Sequence, residues 1–181
     1  MVKILEKLKG GDLRSIGRSE EVVQDILKTP ALFEAVFEGL LDDDPRVRMR
    51  SADVLEKVST KHPEYLQPFK SRLINEIAKI EQQEVQWHVA QMFSYLEVDQ
   101  REREKIIEIL FAYIDGPEKS RIVKTFSMQT LADLAKTDEE SRPRILHKLE
   151  EMVNTGSPAI VSRGKKLIQK LKAVERNTWK P

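Results

Sequence analysis

Apolar residues recur along the chain at three- and four-residue steps, and the stretch LLDDDPRVRMRSADVLEKVS (40–59) shows the pattern in full. After Pro45, the positions Val47, Ser51, Val54, Leu55 and Val58 fall on one face of a helix turning about 100° per residue. Asp42, Asp43 and Asp44 precede that helix, where negative charge meets the positive end of its dipole. One stripe on one short helix makes no core, so the pattern predicts neighbours of the same kind. They recur 38 residues apart. Lines begun at Val47, Val85, Val123 and Val161 read VRMRSADVLEKVS, VQWHVAQMFSYLE, VKTFSMQTLADLA and VSRGKKLIQKLKA. Ala52 aligns with Ala90 and Met128, Leu55 with Phe93 and Leu131, and Val58 with Leu96 and Leu134.

The intervening segments Leu32–Leu41, Phe69–Ile80, Ile106–Ile114 and Ile145–Val153 are helical by the same periodicity. Pro30, Pro68 and Pro143 mark three of their starts, where a missing N–H costs nothing. DDDP, EQQE, DGPEKS and NTGSP supply turns between paired helices, and no segment alternates with period two for long enough to make a strand. SEEVVQDILK (19–28) predicts one more helix, with Ser19 as its cap and acids in its first turn. Residues 1–18 lie outside the 38-residue register and read as an N-terminal cap or mobile segment, with at most a short helix around Val2–Leu8. Residues 174–181 carry no stripe and read as a frayed basic tail, with the last helix expected to end near Lys172 or Ala173.

DDDPRVRMRSADVLEKVS resembles the second half of a HEAT repeat, with Asp, Pro, Val-Arg, Ala and Leu in the usual order. EVQWHVAQMFSYL and RIVKTFSMQTLADLA keep the apolar skeleton and lose the Val-Arg step. The resemblance implies an all-α fold over residues 19–173: an α-α superhelix, or HEAT-like solenoid, of about four helix pairs. It further implies that the second helices line a concave face, and a binding scaffold rather than an enzyme.

Composition narrows the picture. Of 181 residues, 34% are charged and 6% aromatic, which suits a chain with much surface per residue. The absence of cysteine excludes disulfides and thiolate metal sites and makes a reducing cytoplasm the expected location. The opening MVKILEKLKGGDLRSIG interrupts its apolar residues with lysines, so it lacks a signal-peptide core, and no stretch is apolar for the ~18 residues a bilayer span needs. Net charge is +1, yet seven Lys or Arg face one Glu between Val161 and Pro181, leaving −5 for residues 1–160. Arg163, Lys165, Lys166, Lys170 and Lys172 form a candidate basic patch, or else the wet outer face of a terminal repeat.

Candidate chemistry is sparse. His62, His88 and His147 lack metal-ligand spacing, and neither a phosphate-cradling glycine pattern nor Gly-x-Ser-x-Gly occurs, so no catalytic residue, metal or cofactor is assigned. Trp87 stands out. It points about 200° from Val85, away from the side that Val89, Met92, Phe93 and Leu96 turn to the paired helix. Its column holds Met49, Thr125 and Arg163. Gln91 and Tyr95 follow Trp87 at one-turn steps, His88 lies at the edge of that ridge, and Asp53 precedes Gln91 by one repeat. Met49, Asp53, Trp87, His88, Gln91 and Tyr95 are therefore the candidate partner-binding set, with Trp87 as interface anchor or as packing between second helices. A protein partner is the first reading. The second is a nucleic-acid-associated module using the basic C-terminal helix, including a HEAT-like DNA glycosylase form with Asp53 as its carboxylate.

Overall fold

The structure is a computed structural model that describes residues 3–12, 15–116 and 120–178, with side chains through Val174. Among the described residues every regular element is helical. A 3-10 turn at Leu5–Leu8 is followed by α1 (Ser19–Lys28), α2 (Leu32–Glu38), α3 (Pro45–Lys61), α4 (Lys70–Asn75), α5 (Gln83–Met92), α6 (Gln100–Asp115), α7 (Arg121–Thr137), α8 (Arg142–Thr155) and α9 (Pro158–Thr178). The chain forms two compact units, Met1–Val98 and Asp99–Pro181. Each unit contains two of the four predicted helix pairs.

In the first unit α3 is the hub. It packs against α1, α2, α5 and the Leu5–Leu8 turn. Val47, Ala52, Val54, Leu55 and Val58 are fully buried, but so are Arg50, Ser51 and Ser59 on its other sides. The single stripe read from the sequence underestimates this helix, because α1 and the N-terminal segment cover flanks that periodicity assigns to solvent. Its start is fixed by the acids: Asp44 accepts a hydrogen bond from the Arg46 amide at 2.9 Å, and Asp42 accepts one from the Asp44 amide at 2.9 Å. The Arg46 guanidinium beside Asp44 holds that carboxyl down to about 2.

The N-terminal segment docks on α3 through one residue. Arg50, 1% exposed, donates from Nη1 to the Leu8 and Gly10 carbonyls at 2.7 and 2.6 Å, from Nη2 to Asp12 O at 3.1 Å, and from Nε to Ser15 O at 3.0 Å. The carbonyls converge because Gly10, Gly11 and Gly17 adopt positive φ. A Cβ at Gly17 would stand 3.0 Å from Arg50 Cζ, so both backbone conformation and space require glycine there. Ile4, Leu5 and Leu8 add a buried apolar contact, and Lys7 pairs with Glu21 and Asp25 of α1. The expected helix start at Val2 lies outside the described residues.

Ser19 does not cap α1. It is the first helical residue, fully buried, and its hydroxyl donates to the Ile16 carbonyl at 2.6 Å. The predicted helix over Phe69–Ile80 is broken at Glu76 into α4 and a 3-10 turn at Ile77–Lys79, although Leu73, Ile74 and Ile77 all reach the core.

The second unit repeats the scheme around α7, which packs against α6, α8 and α9 and buries Val123, Met128, Leu131 and Ala135. Helix α6 begins at Gln100, before the predicted Ile106, because Asp99 and Glu102 form a reciprocal capping box at 2.8 and 3.0 Å. The fourth sequence line is misread by one residue. In α9 the buried positions are Ile160, Gly164, Leu167 and Leu171, while Val161 is only half-buried. The close-contact position explains the slip. A Cβ at Gly164 would meet Val153 Cγ2 at 2.6 Å and Met128 Cε at 3.1 Å. Gly164 thus occupies the place of Ser51 and Ser127, four residues after the column head, and that head is Ile160. The helix also runs to Thr178 rather than stopping near 173, since no proline or glycine interrupts 174–178. Trp179 and the rest of the tail lie outside the described residues.

Leu55, Phe93 and Leu131, each fully buried, are equivalent core positions. Replacing any one by Ala is expected to cost about 2–5 kcal/mol in urea unfolding. Arg50→Met should leave the Leu8, Gly10 and Ser15 carbonyls without this donor and speed amide exchange in residues 4–12, with a stability loss of about 2 kcal/mol or more. Unchanged exchange there would show that apolar contacts alone hold the cap.

Candidate functional site

Helices α3 and α5 lie side by side in the first unit and are tied at both ends. Near their starts Gln82 donates to Pro45 O at 2.8 Å and accepts from Arg48 Nε at 2.8 Å. Near their ends the Tyr95 hydroxyl donates to Glu56 Oε1 at 2.9 Å and accepts from Thr60 Oγ1 at 3.1 Å. Between these ties the helices leave a pocket of about 390 Å³, lined by Ser15, Ile16, Met49, Arg50, Asp53, Glu84, Trp87 and His88.

The structure places four of the six candidate residues, Met49, Asp53, Trp87 and His88, in this lining. Gln91 and Tyr95 are not among the lining residues. Gln91 donates back to the Trp87 carbonyl at 3.3 Å, and Tyr95 is engaged in the clamp to α3. Trp87 is half-buried, its ring 5.6 Å from that of His88 at 54°, and Met49 beside it is 7% exposed. Angular reasoning sets Trp87 apart from the α5 core but does not foresee that α3 and the N-terminal segment enclose its flank.

Each polar group has a distinct state. The Arg50 guanidinium is engaged with four backbone carbonyls and supports the wall formed by Ser15 and Ile16. Asp53 is 9% exposed; its Oδ2 accepts from Lys57 Nζ at 3.0 Å, and no hydrogen bond from a described residue reaches Oδ1. Lys57 in turn stands 3.7 Å from Glu20. Glu84 has no ion-pair partner among the described residues. His88 Nδ1 is enclosed and has no hydrogen-bond partner among the described residues. Burial, chiefly, pushes the His88 imidazole down to about 4; Lys57 adds to that and Asp53 opposes it. The ring is therefore neutral near pH 7.

Ser15, Ile16, Arg50 and Glu84 are the lining residues that sequence reasoning missed. The available signal is the glycine-rich run 10–17 outside the repeat register, together with Arg50 standing in the column of His88. The basic patch divides similarly. Lys165, Lys166, Lys170 and Lys172 are exposed, whereas Arg163 is half-buried and donates to Gln129 Oε1 at 2.6 Å. With Ile160 as column head, Arg163 falls beside Phe126 rather than in the Trp87 column.

No described helix is long and apolar enough to cross a membrane. Among the described residues no group of three or more His, Asp or Glu could hold a metal ion. A family model described as a HEAT repeat domain matches residues 12–171. Comparison with curated proteins finds none that matches.

The depressed His88 pKa has a signed consequence. The unfolded state binds a proton below about pH 6.5 and the folded state only near 4, so this contribution to stability is present above 6.5 and lost as pH falls toward 4. Urea unfolding between pH 7 and 4.5 should show a decline of up to about 3 kcal/mol attributable to this group. His88→Gln is expected to flatten that part of the slope. An unchanged slope would place the proton uptake elsewhere.

Proposed function

The chain belongs to the HEAT repeat family, and on that premise we propose that it is a non-catalytic, cytoplasmic scaffold that binds a protein partner where α3 and α5 lie side by side. HEAT repeats generally serve as protein-interaction scaffolds. The observation that carries the reading is the Trp87 pocket. An indole, a Met side chain and the half-exposed Ile16 (51%) surround a cleft that folding leaves unfilled. Aromatic and Met side chains of this kind are the usual anchors of protein interfaces.

The exposed lysines of α9 support the second reading, an anionic partner such as nucleic acid. One experiment separates the two. The wild-type chain and Trp87→Ala are immobilised and challenged with the same cell extract at rising salt. Partners bound through the pocket should be lost from Trp87→Ala, with affinity reduced by about 2 kcal/mol or more, while the melting curve stays cooperative. Binding that ignores Trp87 and falls steeply with salt would instead assign the function to the lysines of α9.

A further inference from the structure

We propose that the Trp87 pocket receives one cationic side chain, arginine or lysine, from a segment of the protein partner. This deepens the reading above and rests on it. The argument turns on which groups in the pocket still have unfilled hydrogen-bonding capacity. The positive charge present, Arg50, is engaged: four backbone carbonyls surround its guanidinium at 2.6–3.1 Å. His88 brings no charge near neutral pH. The acids differ. The Asp53 side chain is 13% exposed and, among the described residues, is met by Lys57 through one oxygen, while its Oδ1 accepts nothing from a described residue. Glu84, at the start of α5, faces the same pocket and has no ion-pair partner among the described residues.

Two carboxylates with open acceptor positions beside an indole suit a particular ligand chemistry. An arginine or lysine has an apolar stem that packs along Trp87, Met49 and Ile16. Its head donates to carboxylates and is attracted by the indole face. A carboxylate or phosphate entering the pocket would meet Asp53 and Glu84 as like charges. A purely apolar side chain would cover Asp53 Oδ1 without satisfying it, which is costly for a buried acceptor. Lys57 does not block the site, because Glu20 offers it a second counter-charge at 3.7 Å. Both a filled pocket and a paired Lys57 are therefore compatible.

The test uses the full chain with Trp179→Phe, so that Trp87 is the only tryptophan of the two to report. Its fluorescence is titrated with three short acetylated, amidated peptides of alanine and glycine, identical except for a central arginine, lysine or citrulline. Citrulline matches arginine in shape and lacks its charge. The arginine and lysine peptides should give saturable changes, and the citrulline peptide should bind about tenfold more weakly. Glu84→Gln should reduce the arginine-to-citrulline preference, and adding Asp53→Asn should abolish it. Glu84→Gln is read alone if the double variant does not fold. Equal binding of arginine and citrulline, or no saturation with any peptide, overturns the inference. Loss of partners from Trp87→Ala would still stand in that case, so failure here is distinguishable from failure of the scaffold reading.

Discussion

A guanidinium taken out of water and hydrogen-bonded, among the described residues, to backbone carbonyls is the constraint on which the N-terminal part of the first unit depends. Among the described residues Arg50 donates to four backbone carbonyls, and they come from a segment 35 to 42 residues earlier in the chain. Carbonyl dipoles can stabilise a buried charge only if several point at it from fixed positions. Three glycines with positive φ bring the segment into that shape, and Gly17 packs on the guanidinium itself. Because Ser15 and Ile16 hang from the same segment, the contact that seats the cap also builds one wall of the pocket. The seating of the cap and one wall of the pocket thus follow from one side chain.

The neighbouring arginines extend the principle. Arg46 joins the Asp44 carboxylate to the Gly11 carbonyl, and Arg48 joins Gln82 to the Asp42 and Asp43 carbonyls. Alternate arginines therefore fasten three different segments to the first two turns of α3. A planar fork with five donors can do this where a lysine, a single point of charge, cannot. The corresponding positions of α5 are Glu84, Gln86 and His88, which cannot gather carbonyls in this way. That difference gives the two parallel helices different roles: α3 is enclosed by its neighbours, and α5 presents the acid and the aromatic ring that face the pocket.

The repeat was legible because periodicity records which face of a helix meets its mate. Val47, Val85 and Val123, and Leu55, Phe93 and Leu131, are buried in equivalent places. The same logic failed wherever a contact came from outside the pair. It took α3 for a one-faced helix, since nothing near it in sequence announces α1 and the N-terminal segment. It set the fourth line one residue late, since valine recurs at position 161 while the glycine that admits Val153 and Met128 lies at 164. It gave Ser19 a capping role, whereas Ser19 is the first helical residue and its amide and hydroxyl both donate back to the Ile16 carbonyl. At the site it identified Trp87, Met49, Asp53 and His88 as a set but could not separate Tyr95, whose hydroxyl is engaged 39 residues away by Glu56.

That separation bears on how a repeat protein acquires a specific site. The α3–α5 contact must be held firmly enough that the cleft between the helices does not close on Trp87. The clamps do this from the ends, Gln82 at one and Tyr95 at the other, and neither occupies the middle. The middle is where Met49 replaces the indole by a flexible thioether and where Asp53 remains half-satisfied. The Asp53 side chain keeps 13% exposure in the free fold, and a group that covered its open oxygen without donating to it would remove water and give nothing back. On the proposal above, a cationic side chain entering the cleft would replace that water with a hydrogen bond of its own, which an apolar side chain in the same place could not do.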